Sequence, residues 1–451
     1  MPHKVNINKE YLQKLVDYIN NQNIEKLSKI IKKIHAADIA EIIKNITTKE
    51  AKFLYNLISN EEQAAAVLIE LDDDIREKLL VDLTPKEIAE DLIENLETDD
   101  AADVILELPK QKKEAVLSHI ENTQHANNIS DLLDYNEDTA GSLMAKELIK
   151  VNENWNTIKC LKEMRKQAET IKTVHTIYVV DDQNNLLGLM SLRKLLLAEK
   201  KTEIKKIINK NIISVQASEK NENVAVLMRK YDLVTMPVVD NFGKLIGRIT
   251  IDDIMDFVKE EAEKDYQLAS GISEDIESND SIWTLTKARI PWLIIGMIGG
   301  IIGAQIIGLF DLKTNFELAF FIPLIAAMGG NVGVQSAAIV VQGIANKKIK
   351  VENIGVKIIK ELGVGLFNGL ICSIVILCCS LLLGYNLSLC LTVSISLLAV
   401  IIFAAIFGAF IPLTLNRYNI DPALATGPFI TTINDVFGLF IYFWIGQIIM
   451  Q

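Results

Sequence analysis

Cysteine is scarce, with five in 451 residues, and no two of them form a C-x-x-C pair. Cys372, Cys378, Cys379 and Cys390 fall inside apolar runs and Cys160 stands alone, so neither a disulfide framework nor a zinc site is expected. Histidine is missing from the whole back half: His3, His35, His119, His125 and His175 all lie in the front. The opening Met1-Pro2-His3-Lys4 has no apolar core of a secretory signal, so the front half is expected in the cytoplasm. Net positive charge is lacking too. The chain carries −12, and a negative field repels phosphate backbones, which argues against a nucleic-acid partner. Charged residues nearly vanish after residue 287. Residues 1–287 hold 52 acidic and 38 basic side chains, whereas residues 288–451 hold 6 and 8. An acidic, soluble-looking front is therefore fused to an apolar back. This excludes a purely soluble enzyme and favours metal cations or basic partners.

The back half contains five runs long enough to cross a bilayer as helices, at roughly 290–310, 318–343, 363–384, 387–414 and 428–449. Basic residues mark the cytoplasmic side. The loop after the second run carries Lys347, Lys348, Lys350, Lys357 and Lys360, and the loop after the fourth carries Arg417. The opposite loops offer only Lys313. Five spans starting from a cytoplasmic front half then leave Gln451 outside.

Asp311, Glu317, Glu352, Glu361 and Asp421 are expected in loops or at helix edges, and only Asp435 falls well inside a run. Seven steps from Pro428 put it about 10 Å into its helix. An ionisable group at that depth marks an ion path unless it pairs with another polar helix residue, such as Asn331 or Asn368. Thr431 lies one turn before Asp435 on the same face. In the second run, Pro323 and Gly329-Gly330-Asn331-Val332-Gly333-Val334-Gln335-Ser336 suggest irregular backbone lining a cavity, a small-residue packing seam, or both. All these ligands are oxygens, which suits hard cations such as Mg2+. One Asp per chain makes a thin cage, and a symmetric homodimer would supply two.

The front half splits further. Residues 1–134 read as an all-α superhelical domain with recurring phrases: Ala37-Asp38-Ile39-Ala40-Glu41-Ile42-Ile43, Ile88-Ala89-Glu90-Asp91-Leu92-Ile93 and Ala101-Ala102-Asp103-Val104-Ile105-Leu106. Asp99, Asp100 and Asp103 cluster at one helix start, as caps or as cation ligands. Residues 135–255 hold an internal α/β repeat, divided at about 200. Val179-Val180-Asp181…Leu187-Gly188…Ser191 matches Val238-Val239-Asp240…Ile246-Gly247…Thr250 at an offset of 59. The repeat resembles a CBS-domain pair. In that family Gly-x-x-Ser/Thr-x-x-Asp cradles a nucleotide, which implies an adenine nucleotide such as ATP at Thr250 and Asp253. The first copy has Lys194 where the Asp belongs. Residues 256–287 read as a charged connecting helix or a plain linker, and residues 288–451 as the five-helix transmembrane domain.

This multidomain membrane arrangement resembles the MgtE magnesium channel family over nearly the full chain. The resemblance rests on Glu137-Asp138-Thr139-Ala140-Gly141, on Pro323…Gly329-Gly330-Asn331…Gln335-Ser336, and on Asp421-Pro422-Ala423 leading to Pro428 and Asp435. It implies a homodimer in the cell membrane, among lipid, with the pore on the dimer axis. Asp435 would hold hydrated Mg2+ there with Thr431 and Asn331, and Asp421 would stand at the cytosolic mouth. It also implies that cytosolic Mg2+ closes the channel by binding acidic surfaces of the N domain, CBS pair and connecting "plug" helix. The matching residues are Asp99, Asp103, Glu222, Asp232, Asp253, Asp256, Glu261 and Asp265, with Lys220 standing where an acidic residue is expected. The competing expectation is a proton- or Na+-coupled divalent cation exporter that uses Asp435 as its carrier site.

Overall fold

A computed structural model of the chain describes residues 6–169, 171, 173–273, 276, 280–310, 316–345, 354–418, 420–425 and 427–450. It divides into two compact units, Met1–Val258 and Lys259–Gln451.

The first unit begins with short stacked helices, among them Ala36–Lys44, Thr48–Tyr55, Glu61–Ile69 and Thr98–Glu107. Polar residues start them. Asn60 accepts from the Gln63 amide, and Thr47 and Glu50 form a reciprocal capping box. The recurring phrases bury equivalent positions: Ile39, Ala40, Ile42 and Ile43; Ile88, Ala89, Leu92 and Ile93; Ala101, Ala102, Val104 and Ile105. Each short helix therefore completes its core only against its neighbours.

Two three-stranded sheets follow. The strands are β1 (Ile149–Asn152), β2 (Ile177–Val180), β3 (Leu186–Met190), β4 (Val215–Gln216), β5 (Thr235–Val239) and β6 (Leu245–Thr250). In each sheet the first pair is parallel and the second antiparallel. The ladders shift register at Val179/Val180 and at Val238/Val239, matching points of the 59-residue repeat. Reciprocal bonds join the copies: the Leu186 amide donates to Gly243 O at 3.1 Å, and the Leu245 amide to Asn184 O at 3.0 Å. The cores are not equivalent. The second copy shares one continuous core with the N-terminal helices through Val224, Met228, Met236, Val238 and Ile249, whereas the first copy packs around its own Val151, Cys160 and Val179. The helix after β6 runs Ile251–Ala269, so it starts inside the second copy rather than at residue 256 and ends well before 287.

Among the described residues of the second unit, five helices are long and apolar enough to cross a membrane: Ile282–Leu309, Phe316–Ala345, Ile354–Leu382, Leu387–Arg417 and Pro428–Met450. They are called spans one to five. Span four is the most buried and packs on spans two, three and five, while span one packs on span five. Ser394 Oγ donates to Ser373 O at 2.8 Å between spans four and three, and Tyr442 Oη to Leu318 O at 2.8 Å between span five and the start of span two.

Two expectations need correction. Span three starts at Ile354, so Lys357, Lys360 and Glu361 are helical rather than in a loop. Glu361 lies seven residues in, 4% exposed, with Lys357 Nζ 3.1 Å away. A neutralised charge pair one turn apart lets the helix extend past the apolar run. Secondly, the glycine-rich stretch of span two is continuous α-helix from Ile322 to Ala345. Pro323 stands at its second residue, where no intrahelical N–H is lost. The small residues serve packing. A Cβ at Gly408 would lie 2.4 Å from Gly333 O, a backbone atom that cannot step aside. Gly408→Val should cost about 3 kcal/mol or more, read as a fall in the melting temperature of purified protein. An unchanged melt would contradict this packing. Asp311, Lys313, Lys347, Lys348, Lys350 and Glu352 lie outside the described residues.

Candidate functional site

Span five opens at Pro428, and Gly427 before it takes φ +54°. The Gly427 carbonyl accepts from both the amide and the hydroxyl of Thr431, each at 3.1 Å, so it is not left free. The Thr431 oxygen keeps its lone pairs for an incoming donor such as ion-bound water. One turn on stands Asp435. It is partly exposed, and among the described residues it has no hydrogen bond and no ion pair. Neither Asn331 nor Asn368 pairs with it. Both Thr431 and Asp435 face Gly330 of span two: a Cβ there would lie 3.1 Å from Thr431 Cγ2 and 3.9 Å from Asp435 Oδ1. Glycine thus leaves the space beside the carboxylate open.

Asn434 fixes the rotation of span five. It is 1% exposed and lies against Gly333, where a Cβ would come within 1.8 Å of Asn434 Nδ2. Among the described residues its Oδ1 and Nδ2 have no hydrogen-bond partner. Locking residue 434 against span two turns residue 435, about 100° further round, toward the open side. Asn331 sits elsewhere. It lines a cavity of about 250 Å³ with Gln335, Asn368, Val332, Ile401 and Cys372. Asp421 is exposed, and its Oδ1 accepts from the Ala423 amide at 2.8 Å, capping the turn Pro422–Ala425. No contact brings it to Asp435.

In the first unit the helix start Glu97-Thr98-Asp99 docks onto the CBS pair. Arg248 Nη2 meets Glu97 Oε2 at 2.6 Å, and Thr98 Oγ1 donates to Glu147 Oε2 at 2.8 Å. Asp99 is 8% exposed. Burial, then Asp100 and Asp253, holds its carboxyl well above the usual range. Burial also raises Asp253, against hydrogen bonds from the Thr250 amide and hydroxyl to its Oδ2. A buried carboxyl raised by neighbouring carboxylates is stabilised by a proton or a cation. Glu222, Asp232 and Asp256 are exposed. Asp103 is exposed too, and Asp265 is partly buried; each makes a contact of its own. Glu261 has Lys264 Nζ at 3.7 Å. Among the described residues no three His, Cys, Asp or Glu side chains converge on one metal position. Of the eight regulatory candidates, then, the structure couples Asp99 with Asp253. Gly247 of the nucleotide motif has a packing reason to be glycine: a Cβ would lie 2.6 Å from Met144 Sδ.

Sequence reasoning missed Glu107. Burial pushes it up to about 7 although Arg76 Nε is 3.2 Å away and pulls it down, with Asp73 and Asp103 pushing the same way as burial. The folded state therefore favours the protonated form, and its ordinary value is 4.5. Stability present at low pH should be lost as pH rises through about 7, by up to about 3 kcal/mol. Glu107→Gln should flatten the pH profile of the melting temperature between about 3.5 and 8 (about one unit beyond each value). The same slope in the variant would contradict this.

Known protein families match along the chain. The family model described as the MgtE intracellular N domain matches residues 34–138, CBS domains match 140–201 and 204–260, and the divalent cation transporter model MgtE matches 322–445. "Magnesium transporter MgtE" of Bacillus subtilis is 33% identical over 317 residues, 70% of each chain. The protein of the same name from Enterococcus faecalis is 34% identical over 331 residues, 73% of each, and that of Thermus thermophilus 34% over 327 residues, 72% of each. The crystal structure of the cytosolic domain of the Mg2+ channel MgtE in complex with ATP is 28% identical at a TM-score of 0.51, covering 55% of this chain and 99% of that one. The soluble part of a magnesium transporter is 29% identical at a TM-score of 0.50, covering 56% and 99%.

Proposed function

Because the chain belongs to the MgtE family of divalent cation transporters, we propose that it passes Mg2+ across the cell membrane through a pore on a homodimer axis. The observation that carries this reading is the unpaired Asp435 carboxylate deep in span five, with Thr431 and the bare edge of Gly330 beside it. A carboxylate within a span costs about 2.5–3.5 kcal/mol unless something compensates it. No group of its own chain does so among the described residues. A permeating cation does, and so does the water around it.

Mg2+ sheds its waters reluctantly, so the carboxylates of two chains would bind it through its hydration shell. Selection then rests on the size and octahedral geometry of the hydrated ion. The N-terminal unit is cytosolic in this reading and the C-terminus is outside. Rising cytosolic Mg2+ neutralises acidic surfaces, beginning with Asp99 and Asp253, and shifts the population toward a closed channel. Asp103, Glu222, Asp232, Asp256, Glu261 and Asp265 add to that acidic surface. ATP at Thr250 and Asp253 belongs to the same reading, supported by the ATP named in the related cytosolic domain.

The test is flux into liposomes holding only the purified protein and a Mg2+ dye. The proposal predicts Mg2+ entry. Sealed liposomes that admit no divalent ion would leave the membrane half a mere anchor.

A further inference from the structure

The cavity that takes Asn331 away from Asp435 has a chemistry of its own. Its polar lining is Asn331 and Gln335, one turn apart on span two, and Asn368, near the middle of span three. All three are exposed, and among the described residues none makes a hydrogen bond. The rest of the wall is Met328, Val332, Ile371, Cys372 and Ile401. Lipid tails offer nothing to three carboxamides, and polar groups at membrane depth therefore face water or protein. No carboxylate lines the cavity, so it could not strip Mg2+ of its water. Carboxamides instead accept from ion-bound water through oxygen, and their lack of charge lets the ion leave again, as a conduction pathway requires. Size agrees. An ion–oxygen distance of about 2.1 Å plus a water radius of about 1.4 Å gives a sphere of about 180 Å³, within the cavity's 250 Å³.

We propose that Asn331, Gln335 and Asn368 form a neutral resting site for a fully hydrated divalent cation, separate from Asp435. The proposal rests on the chain conducting Mg2+. The probe is cobalt(III) hexaammine, an exchange-inert octahedral ion that stands in for hexahydrated Mg2+, located by anomalous scattering in crystals of the full chain. Cobalt is expected both beside Asp435 and in the cavity. Gln335→Leu with Asn368→Leu should empty the cavity, leave the ion at Asp435, and weaken hexaammine block of Mg2+ flux roughly tenfold. Asn368→Gln should keep both ions, which separates lost binding from lost folding. Asp435→Asn should empty only the first site. Cobalt at Asp435 with an empty cavity in the native chain would overturn this proposal and leave the proposed function standing. Cobalt at neither would overturn both. Asn368→Cys chains that crosslink to each other would show the cavity covered by a second copy, and would overturn it as well.

Discussion

Asp435→Asn is expected to lower Mg2+ uptake at least about 100-fold, equivalent to about 2.7 kcal/mol of lost ion stabilisation. The substitution keeps shape, removes the charge and turns one acceptor oxygen into an NH2 donor. Nothing else should change: Asp435 holds no hydrogen bond or ion pair within the described residues, so no structural partner is orphaned. Folding and membrane abundance should therefore match the native chain, or improve as a buried charge disappears. The measurement is Mg2+ accumulation, normalised to protein in the membrane, in cells lacking other importers. Half of native uptake in the variant would contradict a conducting role for this side chain. Thr431→Val should act in the same direction but less, since Thr431 contributes a neutral oxygen already bonded to Gly427.

The second large effect concerns Asp99 and Asp253. Placing the buried Asp99 carboxyl near that of Asp253 raises it by repulsion, and the docked arrangement is favoured by whatever neutralises it. A cation that binds the docked state better than the open one shifts the equilibrium by that difference in affinity and no more. Asp99→Asn combined with Asp253→Asn removes both the repulsion and the reason for the cation to bind. Cytosolic Mg2+ is expected to lower current roughly tenfold in the native chain and by less than about twofold in the double variant. Asp99→Lys should act oppositely to an empty site. Its ammonium would stand in for the cation beside Asp253 and hold the channel closed at low Mg2+. Patch recordings with Mg2+ varied on the cytosolic face distinguish these outcomes. A native Mg2+ response in the double variant would move regulation to other carboxylates.

Much of this was legible in the residues themselves. Apolar runs mark the five spans because a bilayer imposes their length, and the isolation of Asp435 among them needs no coordinates to notice. The 59-residue repeat marks the two like units, whose sheets shift register at matching points. Other features depend on rotation and distance, which a linear pattern does not carry. Asn331 and Gly330 are neighbours in sequence, yet they face different surroundings because a helix turns about 100° per residue. Glycines 329, 330 and 333 could break a helix or pack one, and the choice was made by Asn434 and Gly408 on other spans. Arg248 and Glu97 pair across 151 residues, so the docking that brings Asp253 to Asp99 leaves no local trace. The start of span three was misplaced because Lys357 and Glu361 look like loop residues until each neutralises the other.

The most direct test of the central claim is the reversal potential of purified channels in a planar bilayer, with a Mg2+ gradient imposed and proton and Na+ gradients varied independently. A hydrated Mg2+ passing Asp435 unaided predicts reversal at the Mg2+ equilibrium potential, unmoved by pH or Na+, and no current in Asp435→Asn. Reversal that follows the proton or Na+ gradient would make Asp435 the carrier site of a coupled exporter and contradict the channel.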